Sequence, residues 1–374
     1  MRVLLVLNEN PLGSHPDLYE LFDRLSTDGV ISGFDVVPYS LMRAEGHHDQ
    51  HIVGHILDTL RAGGHELIVW MHTLSLDVDS ASLDQIIALP QKPSMVYWEG
   101  DSYHTVYNPM PRAMRRLVSR CDHAYFMCGG SVVRSLGGST CEVRYAPSCA
   151  SGTRFPHVWE AHDSSDDASI VMIANSNQSR IPIRRWPGGR ERVRIVAALE
   201  RRYGTRFAVY GSGWRGRSAR GPCEFNDQVA VYRRAVVAVG ADNSTLPLAF
   251  SNRLPIALAV GIPLLYNDVS SSDDVFPTEM QNIFYHDEAH LFQRIDALLD
   301  SDSSDLHRLS LEERRFFEDN LSRSVVGRFI VGRVLGHRAR LGMKSNRQIE
   351  VDMKAVNMST AVWQRVPPLA RRGR

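Results

Sequence analysis

Short apolar runs alternate with segments of helical periodicity through the first half of the chain. A short apolar run bounded by polar or glycine residues is typical of a buried strand, whereas apolar positions three and four apart indicate an amphipathic helix. The runs predict strands at residues 3–7, 34–37, 67–71, 95–98, 124–127 and 143–145. The intervening patterns predict helices at residues 18–25, 52–61, 83–88 and 114–119.

A second series of the same kind follows a polar stretch. It predicts strands at residues 170–173, 207–210, 236–239 and 264–266, and helices at residues 190–203, 229–235, 254–260, 291–299 and 311–334. We therefore divide the chain into a first domain at 1–156, a linker at 157–169, a second domain at 170–335 and a helical, basic tail at 336–374 that packs back on the first domain.

This alternation predicts an α/β fold. Strands joined by helices form parallel sheets with right-handed crossovers, and 374 residues are too many for one compact core. The predicted fold class is therefore two Rossmann-like domains that face each other across a cleft. Ligands of such sheets bind beyond the carboxyl ends of the strands, so candidate functional residues are sought there.

The composition is that of a globular protein and does not indicate which ligand it binds. The chain is 43% hydrophobic and 23% charged, which is typical of a globular protein, and no apolar run approaches the roughly 20 residues that span a bilayer. Five cysteines without a C-x-x-C pair argue against a disulfide framework, so we expect a reducing, cytoplasmic location. A net charge of +1 gives no global attraction to nucleic acid.

The most informative segment is residues 243–263. Ser251, Asn252 and Arg253 stand directly before an apolar helical run that Gly261 ends. The N–H groups and partial positive charge at the start of a helix favour an anion, and a guanidinium adds a planar fork of donors suited to a diphosphate. A capped helix that carries a surface arginine is the simpler alternative.

This segment resembles the donor-site motif of GT-B glycosyltransferases, especially the branch known as glycosyl transferases group 1 or spore-maturation-protein-like. The motif is a Ser-x-Arg before a helix reading x-x-Glu-Ala-Leu-Ala-x-Gly-x-Pro. The chain matches it at Ser251, Arg253, Ala257, Leu258, Ala259, Gly261 and Pro263. Residues 121–131, 137–138, 155–156 and 210–214 are also similar to family segments, so the resemblance covers roughly residues 95–335.

The chain departs from the motif at Ile256, where the family usually has a glutamate that binds the ribose hydroxyls of the nucleotide. An isoleucine cannot accept those hydrogen bonds. Either another group holds the ribose, or the donor is unusual.

The resemblance implies that the second domain holds a nucleotide-diphosphate sugar and that the first presents the acceptor. Polar and glycine residues at three predicted strand ends are suited to the donor, because backbone N–H groups and an arginine can cradle a diphosphate. With the residues of the motif, the donor-binding set is Ser176, Arg180, Gly211, Ser212, Gly213, Asp242, Asn243, Ser251, Asn252 and Arg253.

Asp101 is the candidate general base. It follows the strand predicted at residues 95–98, so that Glu99 and Asp101 lie at a carboxyl end, facing the cleft. Inverting transfer needs a carboxylate to accept the proton of the acceptor hydroxyl, and an aspartate here resembles the base of the phage DNA glucosyltransferases. Glu99 and His104 are alternative bases, and a loop carboxylate that caps the next segment is the simpler hypothesis.

His15 is a third catalytic candidate, in the loop after the first predicted strand. In GT-B enzymes this loop faces the acceptor and the donor phosphate, and some families place their base histidine nearby. A histidine before Pro16 is also an ordinary turn residue, so the role needs a demonstrated partner.

We predict no metal site and no tightly bound cofactor, with the nucleotide-diphosphate sugar as donor substrate. His51 and His55 share a helical face, but no carboxylate or cysteine at a familiar spacing completes a zinc set. The GT-B class generally transfers sugar without a bound metal, which the resemblance extends to this chain.

The acceptor stays open between a polysaccharide, a metabolite, a protein and modified phage DNA. The near-neutral net charge argues mildly against DNA, because phosphate contacts need clustered Lys and Arg. A degenerate GT-B protein that binds a sugar nucleotide or a partner without catalysis is the alternative function, supported by Ile256. An unrelated α/β binding protein is the third hypothesis.

Overall fold

A computed structural model describes residues 1–73, 76–103, 108–129, 136, 141–158, 168–176, 186–269 and 272–334. Arg180, His104 and the predicted tail at 336–374 lie outside these residues. The strands are β1 (Arg2–Leu7), β2 (Gly33–Pro38), β3 (Leu67–Met71), β4 (Ser94–Glu99), β5 (His123–Phe126), β6 (Glu142–Tyr145), β7 (Ile170–Ile173), β8 (Phe207–Tyr210), β9 (Val237–Gly240), β10 (Leu264–Asn267) and β11 (Phe284–Tyr285).

The described helices lie between these strands and after the last one. They are α1 (Pro16–Thr27), α2 (Tyr39–Ala44), α3 (Asp49–Gly63), α4 (Ser80–Ile87), α5 (Arg112–Val118), α6 (Pro187–Tyr203), α7 (Gln228–Arg233), α8 (Arg253–Val260), α9 (Ser272–Val275), α10 (Glu288–Asp300), α11 (Ser303–Phe316) and α12 (Arg323–Val334).

The strands form two sheets in which every described pairing between strands is parallel. The first has the order β2-β1-β3-β4-β5-β6 and the second the order β11-β10-β9-β7-β8. Each sheet is buried on both faces: two apolar clusters enclose the first sheet and two others enclose the second. The predicted α/β architecture with two Rossmann-like sheets is confirmed.

The carboxyl ends of the two sheets face each other. The backbone N–H of Gly129, after β5, donates to the carbonyl of Pro247, after β9, at 3.0 Å. The hydroxyl of Tyr145, at the end of β6, donates to the carbonyl of Leu248 at 3.1 Å. The loops at these two edges therefore line one cleft.

The prediction of one continuous helix at 311–334 was wrong. Helix α11 passes into a π-helical turn, Phe317–Leu321, and α12 begins at Arg323 after the extended residue Ser322. The break has a long-range cause, because Phe317 belongs to a core of the second sheet whereas α12 packs against α1 beside the first. The chain must turn where it passes from one core to the other.

A helix that crosses a lipid bilayer must be both long and apolar. No helix in the described part of the chain meets both requirements.

Candidate functional site

Each sheet has one pair of neighbouring strands at which the strand order reverses, so that the connections from these two strands run to opposite sides of the sheet. In the first sheet this reversal lies between β1 and β3, because β2 pairs with the other side of β1. In the second it lies between β7 and β9, because β8 pairs with the other side of β7. Crevices beyond the carboxyl ends at such points are where open parallel sheets bind ligands.

Glu99 is a buried carboxylate that gathers donors at the end of β4. Its side chain has no exposed surface and lies on the same face of the strand as Tyr97, whose hydroxyl donates to it at 2.9 Å. The backbone N–H of Asp101 donates to Glu99 at 2.9 Å, and Nδ1 of His72 is the third partner. The carboxyl group of Glu99 is therefore out of contact with solvent and held by three hydrogen-bond partners.

His72 was missed by the sequence analysis. The register pairs Met71 of β3 with Trp98 of β4, which sets His72 level with Glu99. The backbone of His72 has a φ of 51°, in the left-handed region that few side chains adopt, and its N–H donates to the carbonyl of Trp98 at 2.9 Å. Applying the strand-end argument to β3 as well as β4 would have found this residue.

Asp101 lies beside His72 with 55% of its side chain exposed, and its Oδ2 is 3.9 Å from Nε2 of the imidazole. Partial desolvation in the cleft raises the pKa of Asp101; the charge of His72 lowers it and that of Glu99 raises it. Burial alone would lower the pKa of His72, but the hydrogen bond and charge of Glu99 and the charge of Asp101 raise it overall. The structure therefore brings Asp101 and Glu99 together, as the sequence predicted, with a histidine between them.

These three side chains also lie close enough to compare with a metal site, since one ligand atom from each falls within 4.8 Å of the others. The sequence analysis predicted no metal. Nδ1 of the imidazole is hydrogen-bonded to Glu99, and Nε2 faces Asp101. We describe the cluster by these contacts, as a network centred on His72.

His15 occupies the crevice but is engaged elsewhere. It is the residue before α1; its Nε2 is 3.1 Å from the carbonyl of Asn8 and its Nδ1 is 2.9 Å from a guanidinium nitrogen of Arg323. Burial and the charges of Arg323 and Arg154 lower its pKa to about 4, against the opposing effect of the Asn8 carbonyl. His15 is therefore a neutral ring with both nitrogens occupied, and its described hydrogen bonds do not reach Asp101 or Glu99.

On the second sheet, the loops after β7 and β8 are joined. The N–H of Ser176 donates to the carbonyl of Ser212 at 3.0 Å, and the N–H of Ser212 donates to Oδ1 of Asn175 at 2.9 Å. Gly211 has a φ of 141°, and a Cβ there would lie 2.2 Å from the carbonyl oxygen of Ala174. Gly213 completes this joined turn, in which only glycine allows the two strand ends to approach so closely.

Asp242 organises the loop after β9. It is buried, and its Oδ2 accepts hydrogen bonds from the Tyr266 hydroxyl at 2.9 Å and the Ser251 N–H at 3.0 Å. Burial raises the pKa of Asp242, while the nearby Arg192 is the largest opposing influence. The guanidinium of Arg192 donates to the carbonyls of Ala241 and Asn175, at 2.7 and 2.8 Å. Sequence reasoning missed Arg192, which ties the ends of β7 and β9 together from within α6.

The start of α6 abuts this loop. The N–H of Gly188 donates to the carbonyl of Asn243 at 2.9 Å, and a Cβ on Gly188 would lie 2.3 Å from the carbonyl oxygen of Asp242. The N-cap residue of this helix makes no side-chain capping hydrogen bond, and Oδ1 of Asn243 is buried without a hydrogen-bond partner among the described residues. The first turn of α6 therefore presents its partial positive charge at the crevice between β7 and β9.

Arg253 begins α8, after Asn252, whose side chain makes no capping hydrogen bond. Among the described residues, its Nε is buried without a hydrogen-bond partner, and its charge lowers the pKa of Asp242, so the two are neighbours. Ile256, one turn further, is fully buried in a core of the second sheet. The predicted donor residues within the described chain thus converge on one edge, whereas Ile256 points away from solvent.

The matches of this chain to known proteins agree with a fold of two parallel sheets whose carboxyl ends line one cleft. Residues 190–320 match a protein-family model described as "Glycosyl transferase-like". No curated protein sequence matches the chain.

Solved structures match nearly the whole chain. A glycosyltransferase from Rickettsia africae has a TM-score of 0.54 at 10% identity, over 91% of this chain and 98% of that one. An Anabaena protein in complex with UDP and glucose has a TM-score of 0.51 at 12% identity, over 89% of this chain and 99% of that one. T4 phage β-glucosyltransferase with its UDP-glucose substrate has a TM-score of 0.50 at 11% identity, over 85% of this chain and 97% of that one. The predicted resemblance and GT-B fold are confirmed; identities this low establish the fold alone.

Proposed function

We propose that this chain is a glycosyltransferase that moves a hexosyl or pentosyl group from a nucleotide-diphosphate donor to a hydroxyl acceptor. The observation that carries the proposal is the opposition of two unlike edges across the cleft. On one edge stands the solvent-accessible carboxylate of Asp101. The other edge has the start of α6, whose N-cap residue makes no side-chain capping hydrogen bond, and Arg253, whose Nε has no hydrogen-bond partner among the described residues. A base facing an anion site is what transfer from a sugar diphosphate requires.

The chemistry follows from this opposition. The Asp101 carboxylate accepts the proton of the acceptor hydroxyl as that oxygen bonds to the anomeric carbon. The bond from that carbon to the phosphate oxygen breaks, and the nucleotide diphosphate leaves with its electron pair. Arg253 and the first turn of α6 stabilise the charge of the leaving group. Because the acceptor oxygen attacks from the side opposite the leaving group in a single displacement, the transfer inverts the configuration of the anomeric carbon.

The donor diphosphate binds where the ends of β7 and β9 meet. The turn that contains Ser176, Ser212 and the glycines lines one side of this crevice with its main chain. On the other side, Asp242 positions the loop after β9 by accepting a hydrogen bond from the Ser251 N–H. We assign His15 a structural part rather than a catalytic one, because both of its ring nitrogens have partners.

The acceptor is proposed only as a hydroxyl-bearing molecule. The T4 enzyme carries UDP-glucose, and a matching β-glucosyltransferase is described as a DNA-modifying enzyme, so UDP-glucose and DNA with hydroxyl-bearing bases are the first pair to assay. Polysaccharides and small metabolites are assayed beside them. The degenerate alternative is not favoured, because Ile256 is a core residue here while the site surrounding Arg253 and Asp101 is intact.

The test combines binding with turnover. Nucleotide diphosphates and their sugars are screened by thermal unfolding, since a ligand that binds only the native state raises its stability. One nucleotide is expected to raise the melting temperature, and Arg253→Ala to abolish that rise while the exposed control Arg24→Ala keeps it. Sugar release or transfer is then measured for the same donor.

Asp101→Asn separates the two halves of the proposal. It is expected to lower turnover by about 10²-fold or more while keeping the nucleotide-dependent rise, whereas the exposed control Asp23→Asn keeps both. Absence of any nucleotide effect, or full turnover in Asp101→Asn, would contradict the proposed site.

A further inference from the structure

We propose that His72, held by Glu99, is the positioning residue that keeps Asp101 in its proton-accepting state. The inference rests on the proposed function and deepens it by assigning two further residues of the same site. Nδ1 of His72 is bonded to the fully buried Glu99, and its Nε2 faces Oδ2 of Asp101 at 3.9 Å. One imidazole therefore stands between a buried carboxylate and an exposed one.

The geometry leaves His72 little freedom. Its backbone N–H is bonded to Trp98, its carbonyl accepts from the Tyr39 hydroxyl at 2.9 Å, and its φ of 51° is fixed by these contacts. The ring is consequently held at the crevice between β1 and β3, next to the end of β4. A residue held in a left-handed conformation at a ligand-binding edge is more readily explained by chemistry than by packing.

Charge explains what the imidazole does there. Asp101 and Glu99 are two residues apart and both acidic, so the charge of Glu99 disfavours ionisation of Asp101. A base that accepts a proton must first be ionised, and desolvation in the cleft already opposes that. The charge of the imidazolium between them opposes both effects and favours the ionised form of Asp101.

The other titratable groups around the pair are of two kinds. On the β1 side, His15 is electrostatically coupled to His72, and it stays neutral. On the β4 and β5 side, Glu99 and Asp101 also raise the pKa of neutral neighbours that hold no competing charge, namely Tyr103 and Cys128, and Glu99 raises that of Tyr97. Within the described residues, the charge facing Asp101 is thus that of His72 and Glu99.

The experiment compares His72→Asn with Glu99→Gln. Asparagine tolerates a left-handed backbone and can donate to Glu99, but it carries no charge. The pKa of Asp101 is followed by NMR of ¹³C-carboxyl aspartate, with Asp101→Asn to identify the signal. We expect His72→Asn to raise this pKa by roughly one unit, because the positive charge beside Asp101 is lost. Glu99→Gln is expected to lower the pKa of the His72 imidazole, since Glu99 is the group that raises it most. The exposed control His55→Asn leaves both pKa values unchanged.

The same variants give a kinetic readout. The acidic limb of the kcat profile moves upward in pH in His72→Asn, while the KM for the donor stays constant. A purely structural role would lower activity without displacing the limb. Thermal unfolding establishes that each variant is folded, and His72→Asn alone decides the matter if Glu99→Gln is not.

Three outcomes overturn the inference. One is an Asp101 pKa that does not rise in His72→Asn. Another is a His72 pKa that does not fall in Glu99→Gln. The third is micromolar binding of Zn²⁺ or Mn²⁺ that perturbs the His72 imidazole signals, which would make the three side chains metal ligands. Because the NMR titration needs no turnover, the two expected pKa displacements without any transferase activity would contradict the proposed function and leave the network standing.

Discussion

Arg323 donates a hydrogen bond to Nδ1 of His15 over 2.9 Å, and so joins the first residue of α12 to the loop after β1. The same guanidinium lies 3.7 Å from the buried carboxylate of Asp17. The contact requires His15 to remain neutral, because a protonated Nδ1 cannot accept. It thereby makes the stability of the fold depend on pH.

The first prediction is that stability falls in acid through His15. Its folded pKa of about 4 lies below the ordinary 6.5, so the unfolded chain binds the extra proton between these values. The stabilisation is complete above about pH 6.5 and is lost as pH falls toward 4, by at most about 3 kcal/mol. Urea unfolding at pH 4.5 and 7 measures this. His15→Asn should reduce the difference in unfolding free energy between the two pH values, and the exposed control His55→Asn should not. The same difference in all three proteins would refute the prediction.

A second prediction concerns two adjacent glycines at the start of α6. Gly188→Ala should destabilise the protein by about 1–3 kcal/mol and weaken nucleotide binding, because its Cβ would lie 2.3 Å from the Asp242 carbonyl. Gly189→Ala is the matched control: its nearest contact is 3.6 Å, and alanine favours a helix, so it should be neutral or stabilising by up to about 1 kcal/mol. Thermal unfolding with and without nucleotide measures both, and equal effects would disprove the close approach.

The third prediction is that Ile256→Glu destabilises the protein instead of restoring a ribose contact. The side chain is fully buried, so a carboxylate there loses hydration without a described partner. We expect a loss of about 3 kcal/mol or more, against about 1 kcal/mol for Ile256→Val. Chemical denaturation gives both values. A folded Ile256→Glu with tighter nucleotide binding would show that this position faces the ligand.

The fourth prediction concerns Glu313, whose contribution to stability decreases as pH rises, whereas that of His15 decreases as pH falls. Glu313 is buried on α11, where burial raises its pKa well above the ordinary range, and its Oε1 accepts the Leu264 N–H at 3.2 Å. The folded state therefore holds a proton that the unfolded chain releases above about pH 4.5, so this group stabilises most below that pH and its contribution is lost as pH rises. Glu313→Gln, which keeps the acceptor, should stabilise the protein at pH 8 and have little effect at pH 4.

The matched control for Glu313 is its exposed neighbour Glu312, and Glu312→Gln should change neither value. Unfolding free energies of the three proteins at both pH values decide the matter. If Glu313→Gln destabilised at pH 8, the carboxyl would have to be ionised and paired in the folded state.

Local pattern was enough to predict both sheets apart from β11, since strands such as β3 and β7 are uninterrupted apolar runs buried on both faces, whereas β11 has only two residues. The strand-end argument likewise placed Asp101 and Glu99 in the cleft. Applied to β3 it would also have located His72, but the pairing of His72 with Glu99 depends on the register between β3 and β4 and on a backbone conformation that composition does not encode. The helix predicted at 311–334 failed for a related reason: its break at Ser322 follows from which core each half enters.

Two segments that connect the sheets touch each other within the described residues. Ala150 follows β6 and Ser322 precedes α12; they form an isolated bridge, and the Arg323 N–H donates to the Ala150 carbonyl at 2.8 Å. Together with the hydrogen bonds between the loops after β5, β6 and β9, this contact joins the two sheets at several separate places. The distance across the cleft from Asp101 to Arg253 therefore depends on hydrogen bonds in which neither residue takes part.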